Sequence, residues 1–77
     1  MERHGPLDQK LGAVVRRWRQ EAGLSQERLA EMSDLHRNYI GLLESGEHSP
    51  SLAVIDAVAR ALRRSASDLV REAELGR

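Results

Sequence analysis

The sequence predicts an all-α fold, a compact five-helix bundle that contains a helix-turn-helix, and three observations carry that prediction. Apolar residues recur at helical spacing in successive stretches. Hydroxyl residues and glycines stand where those helices should begin and end. No stretch shows the β-branched alternation that marks a strand.

Residues 1–6, MERHGP, join a Gly-Pro pair to a lack of periodicity and read as a loose N-terminal arm. Residues 7–77 then form a single domain. In its first helix, Leu7, Leu11, Val14, Val15 and Trp18 follow the i, i+4, i+7, i+8, i+11 pattern of one buried face, and Gly23 supplies the stop. Trp18 therefore belongs to the core. Ser25 is the N-cap expected for a second helix, about Gln26 to Met32, with Leu24 and Leu29 placed as a hydrophobic staple. The turn SDL leads to a third helix, about Arg37 to Ser45, which Gly46 stops and Pro50 keeps from resuming. Ser51 caps a fourth helix with Leu52, Ile55, Val58, Ala59 and Leu62 as its core stripe. Ser65 and Asp68 have capping-box spacing for a fifth, which carries Leu69, Val70 and Ala73.

Composition narrows the function. A chain of 77 residues holds one modest core, for which a partner subunit is a common supplement. With no Cys, and with His4, His36 and His48 scattered, neither a metal nor a redox cofactor is expected. No nucleophile–base–orienter set or phosphate loop is visible, so no enzyme is expected either. The absence of a signal-peptide pattern or long apolar run points to a cytoplasmic protein. Twelve basic side chains balance twelve acidic ones, and residues 25–50 carry a net −3. A nucleic-acid partner would thus be held by a few placed groups, with weak and salt-sensitive non-specific binding.

The third helix supplies those groups. At about 100° per residue, Arg37, Asn38, Gly41, Leu42 and Ser45 share one arc while Tyr39, Ile40, Leu43 and Glu44 occupy the other. Arg can fork onto guanine O6 and N7, and Asn onto adenine N6 and N7. Gly41 admits close backbone approach, and Leu42 suits a thymine methyl. Solvated surface is the competing reading of such an arc. The preceding segment favours the first, because Leu29, Ala30, Leu35, Ile40 and Leu43 stand where residues 26–45 must pack as a helix-turn-helix.

From Leu11 to Leu69 the chain resembles the phage repressor and Cro type of helix-turn-helix domain, the xenobiotic response element family. The resemblance is carried by LG at 11–12, Arg19, GLSQERLA at 23–30, YIGLLESG at 39–46, SPSL at 49–52 and VARAL at 58–62. It implies a lambda-repressor-like fold and a sequence-specific DNA-binding transcription regulator. LHRNYIGLLESG, with the small size, is also similar to the controller proteins of restriction–modification systems. Three positions depart from the family pattern: Asp34 where Gly often makes the turn, His36 in place of a small hydroxyl cap, and Arg63 where Gly commonly ends the fourth helix.

The resemblance implies that Arg19 and Glu44 form a structural ion pair and that Gln26 touches the DNA backbone, where a helix N-terminus already favours an anion, and a base edge as well. Arg37, Asn38, Gly41 and Leu42 are the expected base readers; His36, Tyr39, Ser45 and His48 are expected to set register on phosphates. Helix four is apolar beyond one face. Val54, Ala57 and Ala61, with Leu69, Val70 and Ala73, are therefore expected to form a homodimer interface over about 52–75 and to match a palindromic operator in double-stranded DNA. The alternative is a protein-interaction module on the same fold, antitoxin-like or an adaptor. No small-molecule effector is expected.

Overall fold

A computed structural model describes residues 5–76, and these form five helices: α1 Pro6–Glu21, α2 Gln26–Ser33, α3 Arg37–Ser45, α4 Leu52–Ala61 and α5 Ala66–Leu75. No strand occurs among the described residues. The expected arm lies mainly outside them, and its last residue is corrected. Pro6 is the first residue of α1, where its missing N–H costs nothing, and the Asp8 carboxylate accepts the Gly5 N–H at 3.0 Å.

Local chemistry explains the starts of the other helices. Ser25, Ser51 and Ser65 each accept a backbone N–H three residues on, from Arg28, Val54 and Asp68. The box at Ser65 is complete, since Asp68 accepts the Ser65 N–H. Those bonds, led by the Ser65 hydroxyl, hold the Asp68 carboxyl below its ordinary range. Their contribution to stability is present above that ordinary range and fades as pH falls through the lowered value. His36 precedes α3 without any side-chain cap bond, as its lack of a hydroxyl foretold.

Four helices end in one way. A left-handed residue at Gly23, Asp34, Gly46 or Arg63 is followed by an N–H that returns five residues: Leu24 to Arg19, Leu35 to Ala30, Glu47 to Leu42 and Arg64 to Ala59, at 2.8 to 3.0 Å. Asp34 and Arg63 do this with φ of 58° and 60°. The missing glycines leave the turns in place, at a cost in strain, because a Cβ crowds the following carbonyl there.

The core comprises Leu11, Val14, Val15, Trp18, Leu29, Ala30, Ile40, Leu43, Val58, Ala59, Leu62, Leu69 and Ala73. The long α1 packs on both α3 and α5, while α2 packs on α3 and α4. Ala30 is buried at the α2 crossing, where a larger side chain would hold the helices apart. Gly12 has the same role against α3. A Cβ on it would overlap the Leu43 carbonyl oxygen and come within 2.7 Å of that of Glu44. Arg17 bonds Glu72 at 2.8 Å from α1 to α5, and the Arg64 guanidinium lies 4.5 Å from the Trp18 ring centre.

Four apolar positions differ from expectation. Leu7 is 48% exposed and Leu52 74% exposed, although both fall on the right arc of their helices. Each sits in the first turn, where the neighbouring elements cover it only in part, and periodicity carries no information about how far a neighbour extends. Leu69 and Ala73, expected at a dimer interface, are fully buried within the chain itself. The fifth helix turns them onto its own core, which removes them from any docking surface. Val54, Ala57, Ala61 and Val70 remain partly exposed.

Gly12→Ala is expected to destabilise the fold by about 1–3 kcal/mol, because rigid backbone blocks the added methyl. Arg63→Gly should stabilise it by about 1 kcal/mol through relief of the left-handed strain. Urea unfolding monitored by circular dichroism measures both.

Candidate nucleic-acid interface

The turn at Asp34 sets α3 against α2 so that Ile40 and Leu43 face the core and the opposite arc stays bare. Arg37, Asn38, Leu42 and Ser45 are exposed, and Gly41 is half-exposed. Gln26, the first residue of α2, joins Arg37, Asn38, Gly41 and Leu42 around a shallow open groove. The structure thus brings together five of the nine residues expected to meet DNA.

Gly41 is informative within that groove. A Cβ on it would meet nothing within 4 Å, and its φ is not in the left-handed range. Neither packing nor backbone conformation asks for glycine in the middle of this helix, where it weakens the helix relative to Ala. What it supplies is an unobstructed surface on the bare arc.

Behind the groove lies a buried charge network. Glu44 accepts from Arg19 twice, Nε to Oε2 at 2.7 Å and Nη2 to Oε1 at 3.1 Å; the two side chains are 4% and 11% exposed respectively. The remaining Arg19 nitrogen, Nη1, donates to the Leu24 carbonyl at 2.8 Å, and Gln26 Nε2 donates to Glu44 Oε1 at 3.1 Å. The pair expected from resemblance is present, as a two-pronged fork that satisfies both ions. Sequence reasoning did not anticipate that Gln26 belongs to the same network. Its signal is tertiary, because Gln26 and Glu44 are 18 residues apart.

The other expected contacts surround the groove without joining it. His36 is exposed at the start of α3. Tyr39 and His48, both half-buried, bring their rings to 5.2 Å, which ties the loop after α3 back onto that helix. The same loop is held to α1 by Ser49 Oγ, which donates to Asp8 Oδ1 at 2.9 Å. Ser45 Oγ lies 2.6 Å from Glu47 Oε2 and 3.0 Å from the Leu42 carbonyl. A carboxylate beside that hydroxyl opposes a phosphate there unless Glu47 turns away. Arg37 Nε stands 3.9 Å from Glu27 Oε1, with both side chains well exposed, so this pair constrains Arg37 little.

Among the described residues, no group of three His, Asp or Glu can hold a metal, and no helix is long and apolar enough to cross a membrane. A short helix propped on its predecessor through a left-handed turn, with one arc bare and the other buried, defines a helix-turn-helix protein. Residues 15–69 match the family described as Helix-turn-helix, and the chain belongs to that family. It is 45% identical over 60 residues to control protein C.SmaI of Serratia marcescens, which covers 78% of this chain and 71% of that protein. The solved structure of the clp gene regulator ClgR from Corynebacterium glutamicum aligns with a TM-score of 0.85 at 32% identity, over 94% of this chain and 77% of that one. The restriction–modification controller protein C.AhdI from Aeromonas hydrophila aligns with a TM-score of 0.77 at 41% identity, over 79% and 92%. The chain is a helix-turn-helix transcriptional regulator, of a family whose members bind double-stranded DNA and are not enzymes.

Gly41→Ala is expected to raise stability by about 0.5–1 kcal/mol. A higher midpoint in thermal unfolding checks it, and a lower one would reveal a packing demand at Gly41.

Proposed function

We propose that the protein acts as a homodimer on a palindromic operator, in the manner of a restriction–modification controller, with α3 in the major groove. The observation that carries this reading is the bare arc of α3 together with Gln26. Arg37 and Asn38 offer forked donors to base edges, and Gly41 and Leu42 leave a low surface between them. The first turn of α2 and the loop of residues 46–50 then face the phosphates that flank the groove.

The homodimer is supported by apolar surface that one chain leaves uncovered. Leu7, Leu52 and Leu75 are exposed, and Val54, Ile55 and Val70 are half-exposed along α4 and α5. A groove between Leu7, Pro50, Ile55 and Val70 continues that surface. A second copy related by a two-fold axis covers it and sets two α3 helices about 10 bp apart on DNA. The charge balance fits such a protein: with a net charge of zero, a monomer gains little from phosphates alone, and two correctly spaced reading helices supply the affinity.

Selection of duplexes from a randomised pool at about 0.15 M salt should return a palindrome bound at least about 10³-fold more tightly than a scrambled duplex. Equal, weak binding to both would indicate a protein partner instead. Arg37→Ala should cost about 1–3 kcal/mol on the selected site and relax one base position. Leu52→Arg should shift the dimer toward monomer in sedimentation equilibrium while helical content holds, because Leu52 is mostly exposed within its own chain and the charge can reach solvent there.

A further inference from the structure

We infer that the corner between α4 and α5 is a docking surface for another protein, one that presents an acidic segment with an apolar anchor to a cationic rim of Arg60, Arg63 and Arg64. The inference goes beyond the DNA-reading proposal and does not depend on it.

Backbone strain at Arg63 has no structural return. Gly23, Gly46 and Arg63 end α1, α3 and α4 in the same left-handed conformation, with φ of 73°, 79° and 60°. Glycine adopts it freely and the short polar side chain of Asp34 tolerates it, whereas a long arginine side chain gains nothing from it. Arg63 is exposed, and no hydrogen bond, ion pair or ring contact with the described residues engages its guanidinium. Nothing within the chain offsets the strain, and strain kept in this way points to function.

Charge at the same corner points outward. Arg60, Arg63 and Arg64 surround an open hollow together with Asp56 and Asp68. Both carboxylates are committed: Asp56 accepts from Arg60 Nε at 3.1 Å, and Asp68 accepts the Ser65 N–H at 3.3 Å. No ion pair among the described residues engages Arg63 or Arg64. The Arg64 guanidinium lies over the Trp18 ring, a contact that uses its flat face and leaves its N–H edge for an acceptor.

An apolar groove adjoins that rim. Leu24, Met32, Ala61 and Leu62 line it, and Arg63 borders both the groove and the hollow. Met32 is 42% exposed, and its flexible thioether suits an adaptable binding surface. At about 250 Å³ the groove falls below the roughly 300–1,000 Å³ of small-molecule sites and is sized for an anchoring side chain. Charge complementarity then sets the chemistry of the occupant, with carboxylates on the rim and an aliphatic side chain in the groove. None of these residues lines the groove on α3, and of those expected at a dimer interface only Ala61 lies here.

The test titrates the full chain with a synthetic peptide in which single leucines alternate with pairs of glutamates, followed by NMR. Backbone amide signals of Leu24, Met32, Arg60, Arg63 and Arg64 should move, and those of Asn38 and Gly41 should stay. The same peptide with lysine in place of glutamate, or with serine in place of leucine, should bind at least about tenfold more weakly. Arg63→Gly should weaken binding about fivefold while raising the midpoint of urea unfolding, a split that a merely structural role of Arg63 does not produce. Met32→Ser, at an exposed position, should weaken binding by a similar factor. Unmoved signals, full affinity in both variants, or equal binding of the lysine peptide would overturn the inference. So would movement of the same signals on addition of a scrambled duplex, which would make the rim a phosphate contact, or on dilution of the protein alone, which would make it an interface between copies.

Discussion

The fork between Arg19 and Glu44 joins α1 to α3 at the point where that short helix needs support. A helix of nine residues has little stability of its own and keeps its place by packing. Ile40 and Leu43 supply apolar contact, but apolar contact is non-directional and leaves a short helix free to roll. The fork is directional. It demands that Glu44 face α1 and so turns Arg37, Asn38 and Gly41 toward solvent. Loss of one partner would bury an unpaired charge, a penalty of about 3–5 kcal/mol, so the orientation of α3 is tied to the integrity of the fold.

Close backbone approach makes the fork possible. Gly12 lets α1 come directly against the carbonyls at the end of α3, and Gly46 lets the following loop settle over Gln9. Arg19 lies about two turns along α1 from Gly12, and the small residue thereby brings the guanidinium within reach of Glu44. The Leu24 carbonyl occupies the third nitrogen of Arg19, which also fixes the entry to α2. One side chain thus ties together α1, the start of α2 and α3.

Electrostatics and surface chemistry are divided within this small protein. The reading arc has few charges and small or adaptable side chains, whereas arginines cluster elsewhere, at Arg60, Arg63 and Arg64 beside Asp56 and Asp68. On the proposed reading, a protein with that distribution gains little from the uniform charge of a duplex, and discrimination would rest on geometry at base edges. Its apolar excess on α4 and α5 involves residues other than those of the α3 groove, so the proposed association with a second copy would not compete with that groove.

Much of this was legible in the sequence because it is local. Ser25, Ser51 and Ser65 marked helix starts through bonds that span three residues, and Gly23 and Gly46 marked helix ends through backbone preference. The bare arc of α3 followed from helical period, and the Arg19–Glu44 pair followed from likeness to a family with that pair. The exposure of Leu7 and Leu52, the burial of Leu69 and Ala73, the hydrogen bond from Gln26 to Glu44 and the carboxylate of Glu47 beside Ser45 did not follow. Periodicity says which way a residue faces and leaves open what stands opposite it. Sequence alone therefore determined the helices, their caps and the bare arc of α3, whereas only the tertiary structure decided which apolar residues are covered and how Gln26 is held, because both depend on neighbours distant in the chain.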